Sequence, residues 1–205
     1  MDAKISEGLF SQYLDKHKIF YRQDFPVAGK KNVDFKVGST SVVLCEVKEV
    51  RDSKLDPEGE IDAYSHIRDD IRNLRKKFNK QKPSSPVVLV TINFSSNVFT
   101  AFTVAKAMLG DIGGSFLNGK LGEISYLPKG NAALTKNGNT SISGVLIFNP
   151  ENGSHKYLPN PFSRYSLPKN YFPDIEEIQL SRGATEQDVL ELSDIMFWPY
   201  YNSSR

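Results

Sequence analysis

Residues 41 to 92 write out a strand, a helix and a second strand in succession, and few features constrain a chain of this size more tightly. Ser41 to Val50 is rich in β-branched residues, which favour the pleated backbone. Ile61, Tyr64, Ile67, Ile71, Leu74 and Phe78 then recur three or four residues apart. That spacing predicts a helix over about 61–80 with one buried stripe, and it places Tyr64 in the core. Pro86 to Ile92 is a continuous apolar run bounded by Pro and Asn, as expected of a strand covered on both faces. Strand, helix and strand make a crossover unit, so the predicted fold class is α/β with a mixed central sheet flanked by helices. Upstream, Val33 to Val37 alternates apolar and polar residues and meets Ser41 to Val50 through the turn Gly38-Ser39-Thr40, which predicts a hairpin. Ile5, Leu9, Phe10, Tyr13 and Leu14 keep helical spacing and predict a first helix over 4–16.

The second half carries weaker signals. Val98 to Leu109 keeps roughly helical spacing, although its threonines argue against a helix. Ile142 to Phe148 and His155 to Leu158 flank Asn149-Pro150-Glu151-Asn152-Gly153 and predict another hairpin. Residues 159–173 read as an ordered loop in which Phe162, Tyr165, Tyr171 and Phe172 pack on the core more readily than they stack on bases, and 186–198 as a short helix. The expected organisation is a core over 1–95 with an elaboration over 96–205 packed on it. At 205 residues, 39% hydrophobic and 24% charged, the chain has the composition of a packed soluble protein. Its one cysteine, Cys45, allows neither an internal bridge nor a thiolate zinc cluster. No run of 18 apolar residues and no basic-then-apolar leader is present, and the expectation is a cytoplasmic protein.

Alternation on the second strand puts Glu46 and Lys48 on one face, opposite Cys45 and Val47. Asp34 joins that face if the hairpin loop has an odd number of residues, and a loop at 39–41 sets it directly across from Glu46. Two cross-strand carboxylates about 5 Å apart at Cβ can hold one hard divalent cation. The plainer alternative is that Glu46 and Lys48 are solvated charges on an exposed sheet face. Downstream, seven basic residues against two acids between Arg68 and Lys82 make one helix face positive, although the net charge is only +2.

Val33-Asp34, eleven intervening residues and Glu46-Val47-Lys48 resemble the signature of the PD-(D/E)XK nucleases, the superfamily of restriction endonucleases and Holliday-junction resolvases. Val33 stands where the signature's proline would be, a position that touches no metal. The resemblance implies a restriction-endonuclease-like α-β-β-β-α-β core over about the first 95 residues. It also implies a Mg²⁺- or Mn²⁺-dependent endonuclease acting on DNA. Asp34 and Glu46 would bind the metal with the Val47 carbonyl and a helical Glu7 completing its shell, and Lys48 would orient the water or stabilise the phosphorane. His66, Arg68, Arg72, Arg75 and Lys76 would contact nucleic acid, although His66 can equally be structural. RNA as substrate, assembly as a homodimer or larger nuclease complex, and a catalytically silent module binding nucleic acid or a protein all stay open. Gly114 to Lys120 fits most of a phosphate-binding loop, but Leu121 replaces the required Ser or Thr. His17, His66 and His155 lack zinc spacing, and no serine lies in a nucleophile elbow.

Overall fold

The structure, a computed structural model, describes residues 3–25, 32–51, 63–78, 83–94, 100–117, 120–127, 132–135 and 138–178, with backbone alone over 111–117 and 120–127. Ala3–Lys16 forms helix α1, and Tyr21–Phe25, Val33–Val37 and Val43–Val50 form strands β1, β2 and β3. Helix α2 (Ala63–Phe78), strand β4 (Val87–Asn93) and helix α3 (Ala101–Leu109) follow. Strands β5 (Asp111–Leu117), β6 (Lys120–Leu127), β7 (Gly144–Phe148), β8 (His155–Pro159) and β9 (Ile175–Glu177) come after them. Seven strands make one mixed sheet in the order β1-β2-β3-β4-β7-β8-β9, and β5 and β6 pair separately.

The expected crossover is present. β3 and β4 run parallel with α2 between them, and β7 adds a third parallel strand beside β4. Val87 through Ile92 are buried in β4, as a strand covered on both faces requires. β8 returns antiparallel to β7, so the expected second hairpin widens the same sheet. Each face has its own helical cover. Ile67, Ile71, Leu74 and Phe78 of α2 pack with α3 against Val50, Val87 and Leu89. Phe10, Tyr13 and Leu14 of α1 pack against Cys45, Val47, Val88 and Val90 on the other side.

Two strands carry no periodic signal, and one rejected motif finds its structure. β1, the first strand of the implied core, was not marked by periodicity because its residues Tyr21 to Phe25 lack an apolar alternation; they sit half-exposed or exposed at the sheet edge. β9, only three residues long, completes the opposite edge. The segment resembling a phosphate-binding loop is a β5–β6 antiparallel pair, with Leu117 opposite Lys120, and not the strand-to-helix turn such a loop needs. The threonines held against the third helix in fact start it. Thr103 N–H donates to Thr100 Oγ1 at 3.3 Å and Thr100 N–H to Thr103 Oγ1 at 3.4 Å, a capping box. Ile61, the side chain of Tyr64, and the helix expected over 186–198 lie outside the described residues. Among the described residues no helix is long and apolar enough to cross a membrane.

Candidate active site

The β2–β3 hairpin fixes the register on which the site depends. Phe35 pairs with Cys45, Lys36 with Leu44 and Val37 with Val43. One further step sets Asp34 across from Glu46, the register expected for an odd loop. The strands end at Val37 and begin again at Val43, leaving 38–42 as the connection. Gly38 has φ 85° there, a conformation that glycine adopts without strain. A Cβ at that position would also collide with the Tyr171 hydroxyl and the Ser41 carbonyl. Tyr171 Oη holds the turn by donating to Val37 O at 2.9 Å or Ser41 O at 2.7 Å.

Glu46 is 3% exposed, which disposes of the reading in which it is a solvated strand charge. A buried carboxylate has to be paired. Lys48 Nζ donates to Glu46 Oε1 at 2.8 Å, and Lys77 Nζ lies 2.5 Å from both Glu46 oxygens and 3.2 Å from the Asn32 carbonyl. Asp34 Oδ2 accepts from the Val47 N–H at 2.7 Å. The Asp34 carboxyl titrates above its ordinary value, first because burial disfavours its charge and second because Glu46 repels it; the Val47 N–H, Lys48 and Lys77 oppose this. Burial also works against the charge on Lys48, but its hydrogen bond and attraction to Glu46, reinforced by Asp34 and Asp70, leave its ammonium pKa raised. Lys48 is thus held as a proton donor.

Two further groups belong to this surface. Asp70 on α2 acts electrostatically on Lys48. Thr91 pairs with Lys48 across β3 and β4 and so shares its face; it is fully buried, and its hydroxyl has no hydrogen-bond partner among the described residues. Neither these two nor Lys77 were singled out from the sequence. Asp70 and Lys77 are seven residues apart, two helical turns, which would have placed them together beside the Ile67, Ile71 and Leu74 stripe.

Of the other expected residues, Glu7 turns away from the pair. Glu7 accepts from Gln23 Nε2 at 2.9 Å, on the α1 side, and its neighbour Ser6 donates to Glu49 at 3.0 Å. Glu49 alternates with Glu46 and Lys48 and so belongs to that opposite face. Val47, whose carbonyl was the expected ligand, stays beside Asp34 through its N–H and turns its side chain into the α1-side core. His66 and Arg68 are half-buried on α2, whereas Arg72, Arg75 and Lys76 are exposed on it. Arg72 pairs with Asp69 at 3.2 Å.

A hard divalent cation suits the donors on this face. Asp34 and Glu46 both present carboxylate oxygens, and their mutual repulsion is what a cation would relieve. Among the described residues no group of three or more His, Cys, Asp or Glu side chains gathers to hold a metal. Magnesium commonly makes do with one or two carboxylates, taking its other oxygens from water and substrate phosphate. Comparison of the chain with protein-family models, with curated proteins and with solved structures found no match.

Proposed function

We propose that the chain is a metal-dependent nuclease of the PD-(D/E)XK type, an endonuclease hydrolysing phosphodiester bonds in DNA. The observation that carries this reading is that Asp34, one residue beyond the Phe35–Cys45 pair, accepts from the Val47 N–H and feels the charge of Glu46, with the Lys48 ammonium hydrogen-bonded to Glu46 two residues along. Supporting it, the order α1-β1-β2-β3-α2-β4 is that of the restriction-endonuclease-like core which the sequence resemblance implies.

In this reading Asp34 and Glu46 hold Mg²⁺ or Mn²⁺, with the Val47 carbonyl as a further ligand. The cation, when bound, supplies charge neutralisation at the phosphate and a more acidic water. Lys48, kept protonated by its acidic neighbours, orients the water through a donated hydrogen bond or faces the charge developing on phosphorus. Arg72, Arg75 and Lys76 on the exposed side of α2 offer phosphate contacts.

The test is cleavage of plasmid DNA with Mg²⁺, set beside parallel digestion of RNA. Glu46→Ala and Lys48→Ala should each abolish cleavage while far-ultraviolet dichroism stays native. Preference for RNA would move the substrate to the other polymer. Binding of DNA without cleavage would instead make the chain a silent nucleic-acid module. The observation favouring that second reading is the pairing of Glu46 with two ammonium groups.

A further inference from the structure

Lys77 holds the position on Glu46 that a cation would take. Its ammonium is 2.5 Å from both carboxylate oxygens and 3.2 Å from the Asn32 carbonyl, an all-oxygen environment of the kind hard cations select. With Lys48 it sets two ammonium groups against the carboxylates of Asp34 and Glu46. A divalent ion entering beside both lysines would meet two like charges at short range. Lys48 is anchored on β3 next to its partner, but Lys77 reaches in from the last turn of α2 on a flexible stem, and its side chain is 21% exposed. Lys48 is the more exposed of the two at 37%, but Lys77 reaches Glu46 from a different element, so its withdrawal leaves the β3 pairing untouched. It also continues the basic run of α2, where Arg75 and Lys76 are exposed, so a phosphate drawn to that helix lies within its interest.

We propose that Lys77 is a built-in competitor for the divalent cation, and that a nucleic-acid phosphate lifts the competition by drawing its ammonium off Glu46. The inference rests on reading Asp34 and Glu46 as metal ligands. It requires that nucleic acid and metal strengthen one another's binding, since coupling between two ligands is reciprocal.

Calorimetric titration of the full chain with Mn²⁺ provides the test. In Lys77→Met the affinity rises about tenfold or more, as removal of one competing charge at short range implies. In Lys77→Arg, which keeps the charge, it does not rise, and in Glu46→Gln binding is lost. Equal affinity in Lys77→Met and the wild type overturns the competition; if Glu46→Gln still abolishes binding, the metal-ligand reading survives. Absence of Mn²⁺ binding in every form removes both. A second measurement needs only the wild-type fold: the ¹⁵N-ammonium resonance of Lys77, protected while it is ion-paired, is lost on saturation with Mg²⁺. Its persistence at saturation overturns the proposal.

Discussion

Thr91 shows how much a single buried atom reveals about the site. A fully buried hydroxyl without a partner costs about 1–3 kcal/mol, and Thr91, on the face shared by Glu46 and Lys48, has none among the described residues. Thr91→Val is accordingly expected to stabilise the apo fold by about 1 kcal/mol in a urea titration, and a loss of stability would show that the hydroxyl is partnered in solution. A second titration lies far from the carboxylates. His155 stacks on Phe148 at 3.8 Å and its Nδ1 accepts from the Asn149 N–H at 3.2 Å, so the neutral ring suits the fold. Burial lowers its pKa, helped by Lys16 and His17 and opposed by Asp174. The stability His155 contributes is therefore complete above its ordinary value of 6.5 and lost as pH falls through the lowered folded value. His155→Phe keeps the stack without the titration, so its melting temperature should fall less than the wild type's between pH 7 and pH 5; parallel declines would rule this out. Glu46 and Lys48 were legible in the sequence because strand alternation sorts them to one face, and Asp34 joins them through the odd length of the hairpin loop. Asp70, Lys77 and Thr91 were not, since their place depends on how α2 is rotated over the sheet and on a hydroxyl hidden inside an apolar run.

Helix α2 ties that chemistry to the core. Ile71 is fully buried and Leu74 nearly so between α2, α3 and the sheet, while Asp70 and Lys77 flank the same stripe. Ile71→Ala should cost about 2–5 kcal/mol in a denaturant titration, the range for emptying a buried aliphatic site. A cost below 1 kcal/mol, within the error of a surface change, would mean that α2 is not seated as described. Elements with a strong period were readable in advance: α1, α2, the β2–β3 hairpin and β4 lie close to their expected bounds. β1 was implied by the resemblance alone and β9 was missed, because edge strands need no apolar face, and β9 exists through its pairing with β8. The α3 threonines were weighed by interior propensity, whereas at a helix start their hydroxyls take up backbone N–H groups that would otherwise lack partners. Propensity misleads at a helix end when the capping geometry is left out.

For the molecule as a whole, charge distribution matters more than total charge. A net charge of +2 supplies little attraction to a polyanion, yet α2 concentrates Arg72, Arg75 and Lys76 on its exposed side. The same helix carries Lys77 inward to Glu46, so its exposed basic side and its contact with the carboxylate pair belong to one element. β7, β8 and β9 extend the sheet past β4, which holds this arrangement from the side opposite the hairpin. If α2 grips the DNA backbone, affinity must fall with salt in proportion to the phosphates neutralised. Replacing Arg72, Arg75 and Lys76 together by Ala should weaken DNA binding at low salt. It should also flatten the slope of log affinity against log salt by about 0.9 for each phosphate contact removed, with thermal stability close to wild type because all three are exposed. Fluorescence anisotropy on a short duplex over a salt series measures both quantities. An unchanged slope would mean that the nucleic acid approaches by another face, and that Lys77 is not led off Glu46 by phosphates bound along this helix.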